Sequence, residues 1–262
     1  MKTLKQRLQD GEIVFGATVL EHLRPSVVKA FANAGFDFIF VENEHAWFDG
    51  SQLADFVLCA RDNGLTIVAK IPQLERAETA RLLEMGAMGI QLPRTETRQQ
   101  LEHLHDFIKF PPVGSRASAT GFGNTFYGKV PDKRAWYCEA NDETMVVAHI
   151  ETRAGAEDID DILAAEGTDI CFVGISDLSL SYGMPGQYDD PQFRSVVQRI
   201  FDATARHNVI RGIVGLNEES VRYWIDQGAQ FFECTSEMDL IRSGAAQTIE
   251  ELHRARRVGA HR

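Results

Sequence analysis

Eight short apolar runs, separated by segments with helical spacing, constrain the fold of this chain more than any other feature of its sequence. Near-continuous apolar strands of this length are typical of parallel sheets that are buried on both faces. Helix-like segments such as RPSVVKAFANAG and AETARLLEMGA end in a glycine step that leads directly into the next run. The alternation predicts an α/β fold, a single (β/α)8 TIM barrel over residues 1–262. The predicted strands cover residues 13–20, 36–43, 66–71, 89–93, 144–151, 170–175, 210–216 and 230–235.

A doubly wound parallel sheet would explain the same alternation of strands and helices. The first predicted strand is not followed by a GxGxxG motif, so the barrel is the preferred interpretation. The length of 262 residues also suits one such barrel. The formal net charge of -11 argues against nucleic acid as a partner, because phosphate binding needs clusters of lysine and arginine.

The amino-terminal residues and the cysteines predict where the protein resides. The first residues, MKTLKQRLQDGEIVFG, lack the apolar centre of a signal peptide. No segment has the roughly 18 apolar residues that a membrane helix needs. The four cysteines are scattered and form no CxxC pair, which argues against a zinc cluster. We therefore expect a cytoplasmic protein with reduced thiols and no membrane partner.

Residues 110–143 interrupt the alternation between the fourth and fifth predicted strands. The segment begins FPPVGSRASATGFGNTFYGKVPDKRAWYCEAND, which is rich in glycine, serine, asparagine and aromatic residues and has neither strand nor helix spacing. A loop of this length inside a compact domain is usually functional or disordered, and its aromatic residues argue against disorder. We interpret it as a long loop over the active-site face, where it acts as a lid or an oligomer contact.

Polar residues collect at the predicted carboxyl ends of the strands, which is where barrels of this kind carry their active sites. His149 and Glu151 are two residues apart on the fifth strand, so their side chains point to the same face. Asp177 follows the sixth strand, and carboxylates from neighbouring strands suit Mg²⁺ or Mn²⁺. His45 follows the second strand and could shuttle protons, because imidazole titrates nearest to neutral pH.

Structural interpretations of the same residues are open at this point. Glu44 and Glu237, each taken alone, are interpreted as solvated loop residues. Ser176 or Asp177 could cap the following helix instead of binding a ligand. His149 could equally be a core histidine that hydrogen-bonds to the backbone.

Four motifs resemble the HpcH/HpaI aldolase family, the 2,4-dihydroxyhept-2-ene-1,7-dioate and 2-dehydro-3-deoxyglucarate aldolase group. The motifs are GFDFIFVENEHAWFD, PPVGSR, HIETRAGAEDIDDILAAEGTDICFVGISDLSLSYG and GIVGLNEESVRYWIDQGAQFF, in this order over nearly the whole chain. The combination of EHA, IET and DLS at this spacing is far more specific than any one of them. The resemblance implies a barrel whose C-terminal helix is exchanged between the subunits of a dimer, with dimers assembled into a homohexamer.

The resemblance also implies a divalent metal, Mg²⁺, Mn²⁺ or Co²⁺, held by Glu151 and Asp177. The metal would chelate the keto and carboxylate oxygens of pyruvate, and backbone N–H groups around Ser176 would bind the carboxylate. His45 would take part in proton transfer. A carboxylate of a neighbouring subunit would orient it, and Glu84 occupies the position of that acid, where the family usually has Asp.

Three positions depart from the family pattern. Lys70 replaces the usual Arg, His149 replaces the usual Gln, and Glu42 replaces the usual Asp at the start of the strand-two motif. Lysine keeps the charge but loses the planar fork of the guanidinium. His149 could hydrogen-bond as the glutamine does, or become a third metal ligand. We interpret the three changes as altered chemistry or an altered substrate.

The leading hypothesis is a metal-dependent aldolase that reversibly cleaves a 4-hydroxy-2-oxo acid to pyruvate, or a related 2-oxo acid, and an aldehyde. Lys70 would hold the keto oxygen, Arg116 and the aromatic residues of 110–143 would contact the aldehyde, and Leu216 would form an apolar wall. Three alternatives are open. They are an enzyme that uses Lys70 as a Schiff base, a related lyase or synthase such as one with citrate-synthase-like condensation, and a weakly catalytic paralogue that binds a keto acid.

Overall fold

A computed structural model describes residues 2–259, so residue 1 and residues 260–262 of the predicted domain lie outside the described part. Eight parallel strands form a closed barrel in which each strand pairs with its sequence neighbours and β8 pairs with β1. The prediction of an α/β barrel is confirmed, and all eight predicted strands are present. They are β1 Val14–Val19, β2 Phe38–Val41, β3 Thr66–Lys70, β4 Gly89–Leu92, β5 Met145–Ile150, β6 Ile170–Val173, β7 Ile210–Val214 and β8 Phe231–Ser236.

Helices surround the barrel and connect its strands. Several begin with a side-chain cap, as at Asp49, whose carboxylate accepts the N–H groups of Ser51 and Gln52. The helices are α1 Leu4–Gln9, α2 Pro25–Ala34, α3 Gly50–Asp62, α4 Arg76–Met85, α5 Arg98–Ile108, α6 Lys133–Glu143, α7 Arg153–Glu157, α8 Ile159–Leu163, α9 Ile175–Ser181, α10 Pro191–His207, α11 Glu218–Asp226 and α12 Glu237–Gly259.

The inside of the barrel is filled by large apolar side chains in its lower part. The rings of Phe38 and Phe231 stack with centroids 4.3 Å apart, and a side chain at Gly16 would collide with the Phe38 ring. Leu4 and Leu8 of α1 pack into the same inner cluster, so α1 closes the amino-terminal end of the barrel. The carboxyl-terminal end is therefore the end where polar side chains can meet a ligand.

Residues 110–143 differ from the prediction in both structure and position. Helix α6 occupies their second half, where no helix was predicted. The Lys109 ammonium donates to the carbonyl oxygen of Thr144 at 2.6 Å, directly before β5 begins, and Gly123 lies against the backbone of Met85 at the end of α4. Because α4 and α5 run opposite to the strands, these contacts lie at the amino-terminal end of the barrel. The segment therefore does not lie over the carboxyl ends of the strands in its own chain, and its interpretation as an oligomer contact stays a prediction.

Helix α12 has its main contacts with β1 and β8. All side chains of residues 239–256 are exposed, including the apolar side chains of Leu240, Ile241, Ile249 and Leu252. Exchange of this helix between subunits stays a prediction. Among residues 2–259, no helix combines the length and the apolar character that a membrane span requires.

Candidate active site

Lys70, the last residue of β3, is buried among carboxylates at the open end of the barrel. Its ammonium lies 2.6 Å from Glu44 Oε2 and 3.5 Å from Glu42 Oε2. Burial alone would lower the pKa of Lys70, but the charges of Glu42, Glu44 and Glu151 together raise it above its usual value. Lys70 therefore carries its proton at neutral pH. The interpretation of Glu44 as a solvated loop residue is wrong, because it forms the shortest contact to this ammonium.

The turn after β2 explains how Glu44 reaches Lys70. Glu42 Oε1 accepts the backbone N–H groups of Glu44 at 2.9 Å and of His45 at 3.2 Å, which folds the chain back over the strand end. Glu44 Oε2 also lies 3.3 Å from His45 Nε2, and the His45 side chain is 70% exposed. Glu44 thus links the buried ammonium to an imidazole that is open to solvent.

Glu151 follows β5 and is buried with one carboxylate oxygen held by the backbone. Its Oε1 accepts the N–H of Arg94 at 2.7 Å, and Arg94 has a left-handed backbone with φ of 46°. Left-handed residues other than glycine are uncommon and concentrate at functional sites. Burial raises the pKa of Glu151, Lys70 works against this, and the nearby charge of Asp177 raises the pKa further.

Asp177 is exposed in the first turn of α9, close enough to Glu151 to influence its ionisation. Gly174 occupies the cap position of α9, and no side chain caps this helix. The alternative that Ser176 or Asp177 caps the helix is therefore wrong, and the carboxylate of Asp177 is free for another role.

His149 lies beside Glu151 inside the barrel, with its ring edge against Phe172 at a centroid distance of 5.2 Å. Its Nε2 is 3.4 Å from Glu151 Oε2, yet neither ring nitrogen forms a hydrogen bond. Burial, and then the charge of Lys70, hold the pKa of His149 well below its usual value, so the imidazole is neutral. The alternative of a core histidine bonded to the backbone is wrong. A Cβ at Gly174 would lie 2.2 Å from Nε2, so only glycine leaves room for this ring.

The charges and donors of this cluster fit a divalent cation. The carboxylates of Glu42, Glu44 and Glu151 act on Lys70, and a fourth, that of Asp177, acts on Glu151. One ammonium therefore lies among four carboxylates, and a divalent cation would neutralise most of the excess negative charge. The neutral imidazole beside Glu151 has an unpartnered nitrogen, and carboxylate oxygens with imidazole are suitable ligands for Mg²⁺, Mn²⁺ or Co²⁺.

A second set of carboxylates lies nearby. Ligand atoms of Glu42, Glu44 and His45 all lie within 4.8 Å of one another. Lys70 already neutralises Glu44 at 2.6 Å. The pair of Glu151 and Asp177 is therefore the better candidate for the cation.

Ser176 and Leu216 lie at the mouth of the barrel, after β6 and β7. The Ser176 hydroxyl is 3.2 Å from the hydroxyl of Tyr188. Leu216 is half exposed, and it lines a cavity of about 650 Å³ together with Ile175 and Tyr188. The other residues that line this cavity belong mostly to α10, α11 and the loop before α10, and it includes none of the residues around Lys70, so a contact of Leu216 with the aldehyde stays a prediction.

Arg116 and Glu84 lie at the other end of the barrel. Arg116 is buried with its guanidinium 4.4 Å above the Phe110 ring, and its backbone N–H donates to the carbonyl oxygen of Lys109. Burial lowers the pKa of Arg116 to about 10, and the charge of Glu84 works against this. Arg116 therefore lies away from the Lys70 cluster of its own chain, and its predicted contact with the aldehyde stays a prediction. The role of Glu84 was assigned to a neighbouring subunit, so it stays a prediction.

Three buried polar residues were not assigned a role from the sequence. Glu237 is buried, and its carboxylate accepts the N–H groups of residues 20–22 at distances between 2.6 and 3.1 Å. It anchors the loop after β1, so its interpretation as a solvated residue is wrong. Gln91 and Glu233 lie inside the barrel. The sequence contained a sign of their importance, because Gln91 in GIQLP and Glu233 in QFFECT are polar residues at inward positions of otherwise apolar strands.

Known proteins resemble the chain over nearly its full length. The family model described as HpcH/HpaI aldolase/citrate lyase matches residues 20–243. A 5-keto-4-deoxy-D-glucarate aldolase from Shigella boydii is 28% identical over 226 residues, which are 86% of this chain and 87% of the relative.

Solved structures agree with the fold. The crystal structure of an HpcH/HpaI aldolase from Desulfitobacterium hafniense superposes with a TM-score of 0.92 at 28% identity, covering 96% of this chain and 97% of that one. The structure of the citrate synthase SbnG superposes with a TM-score of 0.86 at 27% identity, covering 97% and 98% of the two chains.

Proposed function

The chain belongs to the HpcH/HpaI aldolase/citrate lyase family, and we propose that it is a divalent-metal-dependent aldolase. It would reversibly cleave a 4-hydroxy-2-oxo acid to pyruvate, or a related 2-oxo acid, and an aldehyde. The observation that carries the proposal is the cluster of carboxylates around Lys70 and Glu151 at the open end of the barrel. The names of its relatives, which are aldolases, support the same reaction class.

Glu151 and Asp177 would hold the cation. The N–H of Arg94 orients Glu151, and the unpartnered nitrogen of His149 would serve as a third ligand or bind the 2-oxo acid directly. A divalent cation at this position supplies a Lewis acid that polarises the carbonyl of the 2-oxo acid. N–H groups around Ser176 are the proposed binding site of the carboxylate.

Lys70 would donate to the keto oxygen. An ammonium has three N–H donors; that of Lys70 forms an ion pair with Glu44 at 2.6 Å and donates to Glu42 at 3.5 Å, which is long for a hydrogen bond. A neutral keto oxygen can take the place of this long contact without changing the net charge around the ammonium. Because the pKa of Lys70 is raised, the neutral amine that a Schiff base needs is scarce, which disfavours that alternative.

His45 would carry the proton to and from the aldehyde oxygen. It is exposed at the mouth and lies 3.3 Å from Glu44, so a carboxylate of its own chain can already orient it. Glu84 of a neighbouring subunit is the second candidate for this role. Leu216, beside Ile175, is the proposed apolar wall for the aldehyde.

We propose that the protein is a homo-oligomer built from dimers, with the hexamer as the larger assembly. The exposed apolar side chains of α12, among them Leu240 and Leu252, have no cover in the described single chain, and a second copy would provide it. In such an assembly the partner could also place Glu84 near His45.

A condensation that builds a carboxylic acid is the second candidate. The likeness to the citrate synthase SbnG over 97% of this chain favours it, as do Lys70 and His149 at positions where the aldolase pattern has Arg and Gln. Both reactions need the enolate of a 2-oxo acid or a related acid, and they differ in the electrophile.

A coupled assay tests the aldolase. The enzyme is stripped with a chelator, reloaded with Mg²⁺, Mn²⁺ or Co²⁺, and offered a panel of 4-hydroxy-2-oxo acids while lactate dehydrogenase reports pyruvate. We expect release only with metal, and a loss of about 100-fold or more in Asp177→Asn. Asp202→Asn is the matched control, because Asp202 is exposed on α10 and should leave the rate unchanged. Equal rates in Asp177→Asn and the control would refute the metal assignment.

A further inference from the structure

Beside Lys70, the interior of the barrel contains polar side-chain atoms that form no hydrogen bond with any other described residue. Gln91 is 0% exposed, and neither its amide nitrogen nor its oxygen forms a hydrogen bond. Glu233 is 7% exposed and has an unpartnered Oε1. Buried polar atoms without a partner are rare in native proteins, because each has lost its hydrogen bonds to water without gaining others. Their concentration at one place indicates that something else satisfies them.

The strand register places Gln91 beside Lys70. The two residues are partners in the β3–β4 ladder, so their side chains point to the same face. Glu233 is two residues after Phe231, whose ring lies in the inner cluster, so Glu233 also points inward. Lys70 and Gln91 are both close enough to lower the pKa of Glu233, although burial outweighs them and raises it well above its usual value. We call Gln91 and Glu233 the polar floor.

The properties of the polar floor indicate which ligand it takes. Gln91 has no access to solvent, so a substrate-sized molecule cannot reach it without a rearrangement of the barrel. The amide of Gln91 is close enough to influence the ionisation of Glu233, but no hydrogen bond of normal geometry joins the two side chains. A buried water needs two to four polar partners, and the amide and the carboxyl of the floor supply them.

We propose that Gln91 and Glu233 hold ordered water in a closed polar floor beside Lys70, and that this hydrated floor anchors the Lys70 ammonium from the interior of the barrel. The carboxylate of Glu44 lies 2.6 Å from the ammonium and forms an ion pair with it. The hydrated floor would offer acceptors from the interior of the barrel and so fix the position of the ammonium. Gln91 and Glu233 are positioning residues in this account, since they act on a ligand through Lys70. The kinetic part of the proposal rests on the proposed function.

A crystal structure that resolves ordered water tests the floor directly. We expect a water that is hydrogen-bonded to both Gln91 and Glu233 in the wild-type enzyme, and its absence would overturn the proposal. In the apolar double variant Gln91→Leu/Glu233→Met we expect no water at this place and a displaced Lys70 ammonium. An unchanged Lys70–Glu44 contact in that variant would refute the anchor. Neither crystallographic observation depends on enzymatic activity. The test of the floor therefore stands even if the proposed aldolase function is wrong.

A double-mutant cycle tests the action through Lys70. The rate of deuterium exchange into the methyl group of pyruvate should fall about 10-fold or more in the floor variant when Lys70 is present. In the Lys70→Met background, the same floor substitutions should cause no further loss, whereas equal losses in both backgrounds would show a general structural effect and overturn the proposal. Glu233→Gln keeps shape and hydrogen bonding and should retain the water and most of the exchange. Val68→Ala removes interior volume without a polar group and should leave the exchange rate unchanged.

Discussion

Gly174 separates β6 from α9, and the methyl group of an alanine at this position would meet the candidate active site. A Cβ there would lie 2.2 Å from His149 Nε2 and 3.0 Å from Glu151 Cβ. Optimal contact needs about 3.5 Å, so the imidazole has to move by roughly 1.3 Å. A misplacement of this size can cost about 100-fold in rate, which corresponds to about 2.7 kcal/mol in the barrier. Overpacking of the interior costs a further 1–3 kcal/mol, roughly, in the free energy of unfolding.

The assay compares Gly174→Ala with Gly50→Ala. Gly50 is the first residue of α3, and a Cβ there has open space around it, so this control makes the same chemical change without a clash. We expect Gly174→Ala to fold, with a Tm lowered by roughly 2–12 °C. Its deuterium exchange into pyruvate should fall about 100-fold, while Gly50→Ala keeps the wild-type rate. Full exchange in Gly174→Ala would refute the inference that His149 and Glu151 must keep their positions.

Lys70→Met removes the ammonium between Glu44 and the keto oxygen, so enolate formation should fall about 100-fold while calorimetry still detects Mn²⁺ binding. Mn²⁺ should raise the Tm of the chelator-treated enzyme by mass action, and it should not do so in Asp177→Asn. Glu237→Gln weakens the anchor of residues 20–22 and should cost roughly 1–3 kcal/mol in denaturant unfolding. Burial lowers the pKa of Lys109 to about 8, below the value of about 10.4 expected in the unfolded chain. The unfolded chain thus binds more protons between these pH values, and this group's contribution to stability rises with pH there, a rise that Lys109→Met should lack.

The sequence predicted those features that depend on local periodicity. The eight strands and the carboxyl ends that carry Lys70, Glu151 and Asp177 follow from apolar runs and from the geometry of a parallel barrel. Gly174 was not singled out, because its need to be glycine comes from His149 on a different strand.

Features that depend on non-local contacts were missed or misplaced. From the sequence alone, Glu44 resembles a solvated loop residue. In the structure, the backbone N–H groups of Glu44 and His45 donate to Glu42, and this turn brings the Glu44 carboxylate to Lys70. Arg116 lies in a segment between strands four and five, and only the antiparallel course of α5 shows that the segment begins at the closed end of the barrel. Glu233 was a visible exception within an apolar run, but its environment depends on closure of the barrel.

Deuterium exchange into the methyl group of pyruvate, followed by NMR, reports whether Glu151 and Asp177 hold a divalent cation with which this chain forms the enolate of a 2-oxo acid. With such a site, we expect no exchange in chelator-treated enzyme, recovery with Mg²⁺, Mn²⁺ or Co²⁺, and no recovery in Glu151→Gln. Exchange that survives chelation, or no exchange with any of these metals, would disprove the metal assignment.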